Sequence, residues 1–280
     1  MKKYFSFFCI SFVGTLFIQS NLAYAFPAHH PVPGGTAVVE LASADTPQPK
    51  VFFKKQRIAV LQHDDVWYAL IGLSLSTKPG EYKVSYQFDD ERTYHQSFTV
   101  KNKTYKSQYL TVKNKRKVNP TAEDMKRIIK ERKIKTAAKK TWTEETLKAD
   151  FIRPVDGRIS SIFGLRRFFN KQARRPHSGL DIAAPEGTPV KAIADARVIE
   201  TGDFFFSGNM VYLDHGQGLI SLYAHLHKIH VKPGQLIKQG EIIGEVGETG
   251  RVTGPHLHLS ILLNQTGIDP DHWLPAINSQ

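Results

Sequence analysis

The sequence predicts an all-β protein: two strand-rich segments joined by one basic helix. Three observations carry this expectation. Residues 30–112 and 151–280 both break into short alternating runs bounded by glycine and proline. Between them, Pro120 to Trp142 shows helical spacing with acid at its start and lysine at its end. Over 280 residues, 41% of side chains are hydrophobic and 23% charged, which excludes wholesale disorder. At about 100–200 residues per domain, the length suits one large domain or two modest ones.

The first element is residues 1–25. Lys2 and Lys3 precede an apolar run from Tyr4 to Ile18, and Ala23-Tyr24-Ala25 offers the small residues a signal peptidase reads. This order predicts a secretory signal cleaved ahead of Phe26. The run is shorter than the ~20 apolar residues a bilayer core requires, so no stable membrane span is expected after cleavage. Cys9, the one cysteine, lies inside it. The mature chain would then hold neither a disulfide nor a thiolate metal site.

Residues 26–112 follow as a small β-sandwich of about seven strands. The runs are Thr36–Leu41, Val51–Phe53, Ile58–Leu61, Val66–Ile71, Tyr82–Phe88, Ser97–Val100 and Gln108–Val112. No catalytic constellation is visible there, and His63 beside Asp64-Asp65 reads as a surface turn. The module is expected to bind or position.

Residues 113–150 form the basic helical connector. The formal net charge of +12 is concentrated near it. Residues 101–148 carry 16 basic against 5 acidic groups (+11), while 26–100 balance at −1 and 151–280 at +1. Asn119 is the expected cap ahead of Pro120, and Met125, Ile128, Ile129 and Arg132 give one stripe with basic flanks. A solvated linker is the plainest expectation. If the segment binds, its partner should be anionic, and nucleic acid is not expected without a recognisable motif.

Residues 151–280 should fold as an antiparallel sheet, folded over or part-barrelled, and carry the chemistry. Eight of the twelve histidines fall here. His177 and Asp181 are four apart, His256 and His258 two apart, and His225 ends an apolar run. Even separations put strand side chains on one face. Two imidazoles and one carboxylate make a three-ligand set of the kind that holds catalytic zinc with a fourth position open. His227 and His230 are expected to be exposed, His215 to sit in a hairpin turn, and His272 to need no role. Arg166 and Arg167 are candidates for gripping substrate carboxylates.

Three runs in this segment carry a family resemblance. Arg175-Pro176-His177-Ser178-Gly179-Leu180-Asp181, Tyr223-Ala224-His225-Leu226 and Thr249-Gly250-Arg251-Val252-Thr253-Gly254-Pro255-His256-Leu257-His258 resemble, in order and spacing, the signatures of the lysostaphin/LytM-type zinc endopeptidases of peptidoglycan. The resemblance covers about 130 residues, nearly all of 151–280. It implies zinc on His177, Asp181 and His258, and His225 and His256 as the catalytic imidazoles. One departure is Leu259-Ser260, where members often carry an aromatic or acidic residue. The amino-terminal region also resembles that of exported Gram-negative members. The implied activity is hydrolysis of peptide stems or cross-links, at the bond between D-alanine and meso-diaminopimelate, in the periplasm. The implied partners are peptidoglycan and a regulatory envelope protein.

Two other functions compete. A non-enzymatic regulator of other wall hydrolases would be expected to lack ligands, yet all five positions are filled here. A lipoyl-type carrier would need an acceptor hairpin of the Met-Lys-Met kind, and none is present. Domain order also suggests latency, with the β-sandwich on its basic arm covering the metal cleft.

Overall fold

The computed structural model describes residues 26–276 apart from position 91. The signal sequence expected over 1–25 lies outside the described residues.

Six strands build the amino-terminal sheet: Thr36–Ser43 (β1), Lys50–Phe53 (β2), Gln56–His63 (β3), Val66–Gly72 (β4), Gly80–Gln87 (β5) and Thr93–Val100 (β6). They pair antiparallel in the order β1-β4-β3-β2-β5-β6. Alternate residues point inward, among them Val39, Val51, Val60, Ile71, Val84 and Val100, and fill one core cluster. The edge strand β6 returns to touch β1, so a single sheet folds over its own core. The turn at Asp64-Asp65 has positive φ at both residues (45° and 58°), the backbone of a tight two-residue hairpin.

The seventh strand goes elsewhere. Ser107–Leu110 (β7) runs parallel to Arg166–Phe169 (β9), which also pairs with Gln172–Ala173 (β10). Tyr109 stacks on Phe168 with ring centroids 4.7 Å apart. The run expected to complete the amino-terminal sandwich therefore belongs to a small sheet beside the carboxy-terminal half. A four-residue alternation sets a strand's faces but not its partner.

The helix Ala122–Lys139 (α1) starts two residues later than Asn119-Pro120 suggested. Thr121 caps it: its hydroxyl accepts from the Asp124 amide (3.2 Å), while the Asp124 carboxylate accepts from the Thr121 amide (3.0 Å). This reciprocal box satisfies two otherwise unpaired helix-end groups, which Asn119 could not do from its position. Arg116 donates twice to Asp124 (2.6 and 2.7 Å), and these bonds hold that carboxyl down to about 2. The expected stripe also faces the wrong way. Met125 and Ile129 are exposed, and α1 turns Asp124, Glu131 and Ala138 inward. The connector is docked, not solvated.

The carboxy-terminal sheet comprises Arg158–Ser161 (β8), Leu180–Ala183 (β11), Ala196–Phe204 (β13), Gly208–Asp214 (β14), Leu219–Leu226 (β15), Leu236–Ile237 (β16) and Leu257–Leu263 (β18). Its order is β16-β13-β14-β15-β18-β11-β8, with Thr266–Ile268 (β19) pairing β18. Pro189–Lys191 (β12) and Ile242–Glu245 (β17) form a separate pair. One face of the large sheet, including Leu180, Ile182, Tyr223, Leu257 and Leu259, packs into the main core. The other presents Met210, Tyr212, Ile220, Leu222, Ala224 and Leu262, covered by Ile134 and Ala138 of α1. Alternation along β18 puts His258 and Ser260 on this second face with Leu262.

The two halves share a core. Ala59 and Leu70 of the amino-terminal sheet join the main cluster with Leu263 and Ile268. The Gln217 side chain accepts from the Val60 amide (2.9 Å) and donates to its carbonyl (3.1 Å). This junction lies at the Leu263 end of β18, five residues from His258.

Candidate metal centre

Asp181 sits on β11 opposite His258 of β18, and antiparallel pairing brings the two side chains together. His177, four residues earlier, folds onto the same spot. His177 Nε2 lies 2.9 Å from Asp181 Oδ1 and 3.1 Å from His258 Nδ1, and His258 Nδ1 lies 2.7 Å from Asp181 Oδ1. His177 Nδ1 is 2.7 Å from the Ile162 carbonyl, so this nitrogen carries the proton and Nε2 offers a bare lone pair. A lone pair 2.9 Å from a carboxylate oxygen is unfavourable unless a cation lies between. His177, Asp181 and His258 are therefore the described residues that fit a metal ion.

The protonation states agree with that reading. Burial lowers the His177 imidazole to about 4, against the opposing pull of Asp181. Burial also pushes Asp181 upward, but its bonds to His177 and His258 outweigh this and hold it well below the usual range. His177 is thus a neutral imidazole and Asp181 an anionic carboxylate, the forms a metal requires.

Each ligand is fixed from behind. Arg167 donates to the other carboxylate oxygen of Asp181 (2.7 Å) and to Ser161 (3.1 Å), whose hydroxyl lies 3.2 Å from His177 Nδ1. Gln108 of β7 accepts from Arg167 in turn (3.3 Å). Ser260 lies 2.9 Å from His258 Nε2. The serine noted as a departure therefore orients the last ligand, as outer partners of metal-bound histidines do. Gly179 permits the approach, since a Cβ there would lie 2.8 Å from the His258 ring and 2.3 Å from the Leu259 carbonyl. Of the two arginines offered for substrate contact, Arg167 is committed to Asp181, and Arg166 is exposed beside it.

His225 and His256 stand next to this triad. Their ring centroids are 5.0 Å apart, and His225 is 5.8 Å from His258. His256 Nε2 lies 3.9 Å from Asp181 Oδ1. Each uses Nδ1 on a backbone carbonyl, His225 on Thr249 and His256 on Gly254, both at 2.8 Å. The Nε2 atoms are thereby left as acceptors when the rings are neutral. Burial, reinforced by His258 and His256, holds His225 well below its ordinary pKa. Its φ of 66° puts it in the left-handed region, an uncommon backbone for a non-glycine residue that clusters at functional sites. Gly208 lets the Thr249 loop close on this corner, because a Cβ there would meet the Thr249 hydroxyl at 2.1 Å.

All five histidine and aspartate positions singled out in the sequence thus meet at one place. Sequence reasoning missed Ser161, Ser260, Gln108 and Thr249. Ser260 was accessible, being two residues from His258 on a strand. His227 and His230 are exposed, as expected, and lie beside Glu186 and Glu245. His215 lies in the hairpin turn between β14 and β15, as expected, but its ring is buried, 2.7 Å from Ser221 Oγ and 2.9 Å from the Asp195 carbonyl.

Comparison with known proteins follows the same division of the chain. A crystal structure from Pseudomonas aeruginosa assigned to peptidase M23 is 38% identical, superposes with a TM-score of 0.73, and covers 87% of this chain and 94% of its own. Peptidoglycan DD-endopeptidase ShyA of Vibrio cholerae is 46% identical over 113 residues, 39% of this chain and 26% of that protein. The DD-carboxypeptidase/endopeptidase Mpg of Neisseria meningitidis is 44% identical over 113 residues, 40% of this chain and 26% of its own length. The chain thus matches about a quarter of each of these two relatives. Residues 29–103 match the Peptidase family M23 N-terminal domain, and residues 175–270 match Peptidase family M23. With the amino-terminal sheet falling in the first match and the converging triad in the second, the chain belongs to peptidase family M23.

Proposed function

We propose that this protein is a zinc-dependent endopeptidase that hydrolyses peptide bonds in peptidoglycan stems or cross-links, at the bond between D-alanine and meso-diaminopimelate, after export to the periplasm. The observation that carries the reading is the convergence of His177, Asp181 and His258 beside two further imidazoles on one sheet face. Similarity to relatives named as peptidoglycan DD-endopeptidases supports the substrate class. Nitrogen donors in the majority favour zinc over magnesium or calcium. Bound by these three residues, zinc supplies a Lewis acid that polarises the scissile carbonyl and acidifies a water.

The chain's own residues perform the proton work. His225 and His256 each present Nε2 toward the triad, held there by the Thr249 and Gly254 carbonyls. One Nε2 takes a proton from the attacking water and delivers it to the amine nitrogen as the C–N bond breaks, while the other, protonated, hydrogen-bonds the oxygen that gains charge as the amide carbon becomes tetrahedral. No glutamate base is needed. A purely regulatory role is the competing reading, and the complete set of five side chains speaks against it.

The test is a product profile of Gram-negative sacculi incubated with the mature chain, with and without a chelator. Chelator-sensitive loss of cross-linked dimers is expected, and the product masses name the bond. An unchanged profile under both conditions removes the endopeptidase reading. His225→Ala should lower kcat/KM by at least about 100-fold while retaining one metal per chain. His258→Ala should lose the metal as well. Equal metal content in the two variants would undo this division of roles.

A further inference from the structure

Helix α1 lies on the sheet face that carries the metal ligands, and its inner edge is cationic. Lys135 and Lys139 are four residues apart on that edge, and both are partly buried. The Lys135 ammonium sits 5.4 Å from the centre of the Phe204 ring. Its nearest acid is Glu131, already bound to Arg127 (2.6 Å) and the Phe205 amide (2.9 Å). The charge acting on Lys139 is another cation, Arg175, two residues before His177.

Near Lys135 lies Arg251, in the loop whose Thr249 carbonyl holds His225; the Arg251 amide donates to the Phe206 carbonyl (2.9 Å), two residues from the ring under Lys135. Its guanidinium lies over the rings of Phe169 (4.7 Å) and Phe206 (4.5 Å). The charges it feels are Arg167 and Arg174, again cations. Lys135, Lys139, Arg175 and Arg251 thus run from α1 toward the triad, and the carboxylate that acts on Lys135, Glu131, is already bound elsewhere. Their ordinary pKa values are lowered by burial in three of the four, Arg251 to about 10. Holding Lys135, Lys139 and Arg251 in partly desolvated positions costs stability, which the ring contacts of Phe169, Phe204 and Phe206 offset only in part.

From this juxtaposition we infer that Lys135 and Lys139 of the connector helix, with Arg175 and Arg251, form a subsite for the carboxylates of an acidic peptide strand that runs past α1 into the metal centre. The inference rests on the peptidase reading for its substrate, and it gives the connector a role in selecting that substrate. The aromatic rings of Phe169, Phe204 and Phe206 supply the apolar walls that hold the cations in place. A carboxylate entering the path replaces water as their partner and gains charge-assisted hydrogen bonds.

The experiment measures equilibrium binding to the full chain carrying His225→Ala, so that cleavage does not consume the probe. Two probe pairs are used: cross-linked muropeptides from Gram-negative sacculi, native and with carboxyls converted to carboxamides, and a glutamate hexamer with its glutamine counterpart. The charged member of each pair should bind at least tenfold more tightly. The double change Lys135→Gln with Lys139→Gln should erase most of that ratio, Lys139→Arg should keep it, and Lys126→Gln on the exposed side of α1 should leave it intact. Binding of the glutamate hexamer without binding of muropeptide would uphold the subsite and overturn the peptidoglycan reading. Turnover of sacculi with charge-blind binding would do the reverse. Tighter binding after Lys139→Gln would mean that the helix blocks the path, and would overturn the subsite. Lys139→Gln should also leave Tm unchanged or raise it. A fall in Tm with the binding ratio preserved would assign Lys139 to folding, again overturning the proposal.

Discussion

His225 shows how much constraint a single position in this molecule carries. It adopts φ 66°, its ring is packed against His256 and His258, and its Nδ1 is pinned to Thr249. Burial and the neighbouring rings keep it neutral, while the Thr249 bond and the backbone turn aim it, at a backbone cost of order 1–3 kcal/mol. The ligands depend on equally local support. Ser260→Ala removes the partner of His258 Nε2 and should weaken metal affinity about 10–100-fold, measured by competition with a chelator. Gly179→Ala, which forces a Cβ against the Leu259 carbonyl and the His258 ring, should lose more than Ser260→Ala does. Unchanged affinity in both would show that the sheet alone sets the ligand. His215 tells a different story at the same scale. Burial lowers it to about 4 from an unfolded value near 6.5, with the Asp195 carbonyl opposing. The unfolded chain therefore binds the extra proton first. His215 contributes nothing adverse above pH 6.5, and stability falls as pH drops from 6.5 toward 4, by roughly 3 kcal/mol for this group. Tm measured from pH 7 to 4.5 should fall less steeply in His215→Gln than in the parent. Parallel profiles would remove His215 as the source.

At the scale of elements, α1 illustrates what the sequence displays and what it conceals. Its existence was legible from composition, acid at one end and lysine at the other. Its start was legible too, since Thr121-Ala122-Glu123-Asp124 spells a capping box, but Pro120 drew attention to Asn119 instead. Its docking face was not legible. The apolar Met125 and Ile129 point to solvent, while Glu131 turns inward because it has the Phe205 amide and Arg127 to bind. A buried polar contact leaves no periodic signature. The same holds for β7, whose partner β9 lies 60 residues away and could not be read from a four-residue alternation. The site was legible because its five side chains sit in three local runs, two of which hold the ligands at fixed spacing. Gln108 and Ser161, supplied by separate elements, became visible only once β7 and β8 were placed. The Glu131 contact gives the helix a testable anchor. Glu131→Ala leaves the Phe205 amide without its acceptor and should cost about 1–3 kcal/mol. Hydrogen exchange at Phe205 and along the inner edge of α1 should accelerate in that variant. Exchange changes confined to position 131 would show that apolar contacts of Ile134 and Ala138 suffice.

Across the whole molecule, the decisive feature is that the two matched domains do not have separate cores where they meet. Ala59 and Leu70 pack with Leu263 and Ile268, Gln217 completes the hydrogen bonding of Val60, and Trp273 Nε1 donates to Thr36 Oγ1 (3.1 Å). Arg57 adds a two-pronged pair to Glu144 in the stretch after α1 (2.7 and 3.0 Å). The amino-terminal sheet thus holds the distal end of β18, the strand whose other end supplies His258 and follows directly on His256. Strand β7 and the connector helix α1 grip the site end. Both domains are therefore tied to the rigidity of one strand, and they should unfold together. Gly72 is the sharpest probe of that tie, because a Cβ there would stand 2.6 Å from the Leu263 carbonyl, a backbone atom that cannot swing aside. Gly72→Ala should cost about 1–3 kcal/mol by overpacking. In calorimetry the parent should melt in one transition, and the variant should shift that whole transition down by several degrees. If the parent melts in two steps and the substitution moves only the earlier one, the domains are merely adjacent, and the amino-terminal sheet has no hold on the strand that carries the site.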